Sequence, residues 1–256
     1  MDASQGETLE VVDHVDALET AGRALAVAAG EAGPDAEVPT CPGWRVRDLL
    51  RHISMVHRWA TDLVVHERTA YRPEDGETSL DGEELLAHFR EGHTALVAAL
   101  RAAPESLECW TFLPAPSPLA FWARRQAHET TVHRADAEAA LPAGPLPVQP
   151  LIAADGIDEL LLRFHGRSRS RVRTAGPRTL RVRATDTGDV WTVRLSATEP
   201  PRTERAGSAS EPVDAEFAGA ADRLYLFLWN RLPVDAVTLT GDAELARTWR
   251  ETSGIV

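Results

Sequence analysis

The sequence predicts a mainly helical α+β protein: a four-helix bundle followed by a small α+β domain. Three observations predict it. Four stretches of about twenty residues between positions 8 and 138 carry apolar or ionisable residues at helical spacing. Pro142, Pro145, Pro147 and Pro150 then interrupt the pattern. Beyond them period-two alternation alternates with further helical segments. The expected domains are residues 1–142 and 150–256, and the 256-residue chain is long enough to give each a core.

The first helix is expected over residues 8–29, with Val11, Val15, Leu18 and Leu25 inward and Gly30 and Pro34 ending it. A Pro42-Gly43 turn delivers the chain into a second helix near Val46. Val46, Leu49, Leu50, Ile53, Ala60, Leu63 and Val64 form its stripe, and Asp48 sits in the first turn, where the helix dipole favours a carboxylate. His52 lies against that stripe, where a histidine is either a hydrogen-bonded core residue or a ligand. His57 and His66 read as boundary or solvent positions, with His57 as a reserve ligand. Residues 71–79 form a loop. Asp81 opens a third helix with Leu85, Phe89, Leu96 and Leu100 inward, and Pro104 stops it.

The fourth helix, residues 121–138, carries the chemistry. Glu129 and His133 stand four apart, so at ~3.6 residues per turn they stack on one face, as two ligands of one cation must. Trp122, Arg125, Val132 and Asp136 fall on or beside the same stripe. If that stripe faces inward, each ionisable group needs a partner, and a divalent metal would supply one. The bland alternative is an i,i+4 surface pair worth about 0.2–0.5 kcal/mol. His128-Glu129 invites comparison with H-E-x-x-H, but His133 comes one residue too late. Five residues put the two histidines roughly 140° apart around a helix, which rejects the zinc-peptidase signature.

In the second domain a helix is expected over 152–164. Strands over 179–184 and 190–195 pair as a hairpin through Asp186, Thr187, Gly188 and Asp189. A strand over 213–218, an apolar helix over 221–232, a strand over 237–240 and a closing helix over 243–251 complete it.

Composition narrows the function classes. Hydrophobic content of 43% with no long apolar run argues against a membrane span, and an acidic, polar start without a signal peptide makes the cytoplasm the expected location. Cys41 and Cys109 are too few for a disulfide framework and form no C-x-x-C. A net charge of −12 argues against nucleic acid as a partner, and the run Arg163, Arg167, Arg169, Arg171 and Arg173 reads as a solvated face. No G-x-G-x-x-G, P-loop or G-x-S-x-G is present, and a monomer is the default expectation. All 27 basic residues are arginine, as high-GC codon usage would produce.

The segment C-P-G-W (41–44) with V-R-D-L-L (46–50) and His52, together with F-W-A-R-R-Q-A-H-E-T-T-V-H-R-A-D-A-E (121–138), resembles the mycothiol-dependent maleylpyruvate isomerase family. D-R-L-Y-L-F-L-W-N-R (222–231) and V-T-L-T-G-D-A-E-L-A-R-T-W (237–249) are similar to that family's C-terminal domain. The resemblance implies a DinB-like metal-binding bundle and a sterol-carrier-like α+β domain. It also implies a zinc site on His52, Glu129 and His133 with one open position, and mycothiol as thiol cosubstrate. A metal-activated thiolate would add to an activated double bond and leave after rotation, or stay as a conjugate. An arginine-rich, high-GC composition fits an actinobacterial source, where mycothiol is the expected thiol.

Arg231 falls where the family has a substrate-contacting arginine, although Asn230 stands before it where glycine is expected. Trp44 and Arg125 are candidate substrate-pocket residues, against a core aromatic and a bundle salt bridge. Two rivals remain. One is a hydrolase using zinc-bound hydroxide; the other is a non-catalytic metal- or ligand-binding protein whose site is closed by His57 or Asp48.

Overall fold

The structure, a computed structural model, describes residues 9–74, 76–205 and 211–255. It divides into two compact units, Met1–Leu146 and Pro147–Val256. The first is a bundle of α1 (Val11–Ala32), α2 (Val46–Val65), α3 (Gly82–Ala102) and α4 (Pro118–Ala139). α1 packs on α3 and α4, and α2 packs on the same two, so consecutive helices α1 and α2 face each other across the bundle.

Each helix begins where its sequence offers a cap. The Asp48 carboxylate accepts the Arg45 backbone N–H at 2.9 Å, the Asp81 side chain accepts from the Gly82 N–H, and the Ser117 hydroxyl accepts from Ala120 with Pro118 at the first turn. Val46, Leu49, Leu50, Ile53, Leu85 and Phe89 are buried together with α1 residues Leu25 and Ala29. At α4's entrance Trp122 donates its indole N–H to the Trp110 carbonyl, and its ring meets Trp59, Phe112 and Phe121 edge to face.

The second unit opens with α5 (Pro150–Asp158), which runs into a π-helical turn, Glu159–Phe164. The His165 N–H bonds to the Leu160 carbonyl five residues back, so the expected single helix over 152–164 contains a change of helix type. Five strands follow: β1 (Arg178–Ala184), β2 (Val190–Leu195), β3 (Arg202–Arg205), β4 (Ala215–Gly219) and β5 (Thr238–Gly241). Their order is β3-β2-β1-β4-β5, with β1 and β4 parallel and the other neighbours antiparallel. The β1-β2 hairpin stands as expected.

β3, an Arg-Thr-Glu-Arg edge strand, was not foreseen. It has no apolar alternation and is held by its ladder to β2, by Arg205 pairing with Asp158 and Asp189, and by the Thr203 hydroxyl donating to the Leu161 carbonyl. α6 (Ala221–Leu228) and α7 (Ala243–Thr252) complete the unit, and the Trp249 indole N–H bonds to the Leu228 carbonyl at 3.0 Å. α6 ends four residues before the expected limit because Asn230 adopts a left-handed φ of 62°. Asparagine tolerates that conformation better than most residues, and glycine adopts it without strain. Among the described residues, no helix is long and apolar enough to cross a membrane.

Candidate metal centre

α4 is buried along most of its length without an apolar stripe, and polar side chains occupy much of that buried surface. Glu129 and His133, one turn apart, meet His52 of α2 there. The Oε1 atom of Glu129 lies 3.5 Å from His52 Nε2 and 3.3 Å from His133 Nε2. One ligand atom from each of the three lies within 4.8 Å of the others. Bonds of ~2.0–2.1 Å to a tetrahedral zinc would set ligand atoms about 3.3–3.4 Å apart, so this donor set fits such an ion. Side-chain exposures of 26% for His52 and 24% for Glu129, against 10% for His133, leave the cluster open on one side.

The electrostatics follow from the packing. Burial alone would raise the Glu129 carboxyl. Hydrogen bonds with His133 and His52, helped by the charges of His133 and Arg125, outweigh it and hold the group well below the usual carboxylate range. Burial likewise opposes charge on His133, yet Asp136 and Glu129 overcome it and lift its pKa to about 9. Arg125, nearly fully buried, places its guanidinium 3.1 Å from Glu129 Oε2. The second carboxylate oxygen is therefore engaged, and Oε1 is the one turned to the histidines.

Trp44 closes one flank. The backbone from Val38 to Trp44 forms a tight turn, with Val38 N–H to Trp44 O, Cys41 N–H to Val38 O and Trp44 N–H to Cys41 O each at 2.9 Å. Gly43 takes φ 88° within it, a conformation that L side chains rarely adopt. The turn lays the Trp44 ring 5.2 Å from that of His52, and nearly parallel to that of His133 at 6.4 Å.

Other expectations sort differently. His57 is no boundary residue: it is fully buried, with Nε2 2.9 Å from the Thr130 hydroxyl and its ring 5.7 Å from that of His93. His57 falls on the apolar stripe of α2 itself, four residues after Ile53 and three before Ala60, and that face meets α3 and α4. Asp48 serves its helix cap and approaches Arg51. His128 is buried with its ring edge to face with His14, consistent with the angular argument that separates it from His133. Arg231, in the second unit, is half-buried and donates to the Trp229 carbonyl at 2.8 Å. A groove of ≈ 610 Å³ between α1 and α3, lined by Gly22, Ala26, His93 and Val97 among others, includes none of the site residues.

Asp136 and Thr40 are the site neighbours that sequence reasoning gave no role. Asp136 was legible as a carboxylate three residues beyond His133. Thr40, 96 residues away in sequence from Asp136, offered no signal.

A domain model described as the mycothiol maleylpyruvate isomerase N-terminal domain matches residues 15–138, and the C-terminal domain model of the same family matches residues 152–248. A helical bundle followed by an α+β unit is the class these define, and the chain belongs to the mycothiol-dependent maleylpyruvate isomerase family. Two crystal structures of a mycothiol-dependent maleylpyruvate isomerase, one of them a histidine-to-alanine mutant, share the fold. Each is 11% identical and aligns over 91% of this chain and 93% of its own, with TM-scores of 0.62 for the mutant and 0.61. No curated protein sequence matches.

Proposed function

We propose that this chain is a zinc-dependent enzyme that uses mycothiol to isomerise a small electrophile of the maleylpyruvate type, or conjugates the thiol to it (S-transfer). The observation that carries the reading is the cluster of His52, Glu129 and His133, with ligand atoms at tetrahedral spacing and one side open. Three protein ligands and an accessible fourth position are the pattern of a catalytic rather than a closed structural site. A bound divalent ion lowers the pKa of a thiol at that position, so that the nucleophilic thiolate is present near neutral pH.

The chain's own groups prepare the place. His52 and His133 present Nε2, Glu129 presents Oε1, and Arg125 holds the other oxygen of the same carboxylate. Trp44 walls one flank with an apolar face. In this reading Trp44 and Arg125 border the substrate position. Arg231 retains the anion-contacting role that the family likeness gives it, which an Arg231→Ala variant tests through a raised KM.

Metal content is the first experiment. Purified protein is expected to hold about one zinc or similar ion per chain, and His133→Ala to lose most of it, since one of three ligands is gone. Variants at His52, Glu129 and His133 that all keep metal as tightly as the parent would contradict the reading.

A further inference from the structure

Asp136 has no solvent exposure, and both of its carboxylate oxygens are engaged. Oδ2 lies 2.9 Å from His133 Nδ1, and Oδ1 accepts the Thr40 hydroxyl at 2.5 Å. A carboxylate accepts only, so Nδ1 of His133 carries a proton and donates it to Asp136. Its other nitrogen, Nε2, faces Glu129. An i,i+3 pair on a helix surface would need none of this. A fully buried carboxylate is costly unless paired, and its second partner comes from the turn between α1 and α2.

We propose that Asp136, held in place by Thr40, is the positioning residue of the metal centre: it fixes the tautomer and ring orientation of His133 so that Nε2 is presented to the ion. The inference rests on the reading of His52, Glu129 and His133 as metal ligands. It also gives the turn around Cys41-Pro42-Gly43-Trp44 a purpose. One short segment brings the Thr40 hydroxyl to Asp136 and the Trp44 ring to the imidazoles, so the loop braces the ligand from both sides.

The test is zinc affinity of the full-length protein, measured by competition with a chromophoric chelator, with circular dichroism confirming that each variant is folded at the assay temperature. Asp136→Asn is expected to bind zinc about 10–100-fold more weakly, the range found when a carboxylate behind a ligating histidine is lost. Thr40→Val is expected to shift affinity in the same direction, and Thr40→Ser, which keeps the hydroxyl, to restore it. Combining Asp136→Asn with Thr40→Val is expected to cost no more than Asp136→Asn alone. The cobalt-substituted Asp136→Asn protein is expected to show an altered ligand-field spectrum. Folded Asp136→Asn and Thr40→Val proteins that bind zinc like the parent, while His133→Ala does not, would overturn the positioning role and leave the metal centre standing. Parent-like affinity in His133→Ala would overturn both.

Discussion

At the scale of single residues, Glu129 decides what the centre can do. Its carboxylate is shared between the Arg125 guanidinium and two imidazoles, so it is charged at neutral pH and its inward oxygen is set. Cys109 has no comparable activation. Burial pushes the Cys109 thiol up, against a weaker opposing hydrogen bond with Trp122, and Cys41 sits half-buried in the turn before Pro42. A thiol raised by burial is a poor nucleophile near neutral pH. Replacing both cysteines by serine is therefore expected to leave thiol-dependent turnover within about twofold, at a stability cost of about 1 kcal/mol. Loss of turnover with Cys41→Ser alone would move the nucleophile into the protein.

At the scale of elements, two of the buried histidines outside the centre, His57 and His165, set an acid limit on the fold. Burial, reinforced by the charge of His93, lowers the His57 pKa to about 3, and burial with the nearby Arg167 charge lowers that of His165 to about 4. His165 is held by Ser170 and by an edge-to-face contact with Trp249, and its Nε2 has no hydrogen-bond partner among the described residues. Because both values lie below the ordinary 6.5, the unfolded chain takes up protons that the folded chain does not. Their stabilising effect is whole above pH 6.5 and declines as pH falls toward 4. Between pH 7 and 5 His165 alone is expected to account for about 2 kcal/mol of lost stability. Urea unfolding of His165→Phe should show a shallower pH slope, and a slope equal to the parent's would contradict this origin.

The same scale shows what the sequence made legible. Apolar periodicity located the first three helices, and the Glu129/His133 spacing located the fourth, because local spacing dictates which residues share a face. The π-helical turn at Glu159–Phe164, the polar edge strand β3 and the early end of α6 at Asn230 were not legible. Each depends on a backbone hydrogen bond or a left-handed residue that leaves no apolar period. His57 is the opposite case: its spacing from Ile53 and Ala60 puts it on the apolar face of α2, and only its polarity argued for a boundary position.

At the scale of the whole molecule, the family assignment rests on both units, since the two domain models match most of the chain in order. The bundle supplies the ligand cluster and its bracing turn. The β1-β4 parallel pair, which joins the hairpin to β4 and β5 in the middle of the second unit's sheet, links strands more than thirty residues apart, which is why the sequence suggested strands there without giving their order. The proposed chemistry requires an external thiol at the candidate cluster of His52, Glu129 and His133. The direct measurement is turnover of the metal-loaded parent protein on one small electrophile of the maleylpyruvate type, with mycothiol and with no thiol. Turnover is expected with mycothiol and not without it, whereas turnover undiminished in the absence of thiol would contradict a thiol nucleophile and point to water.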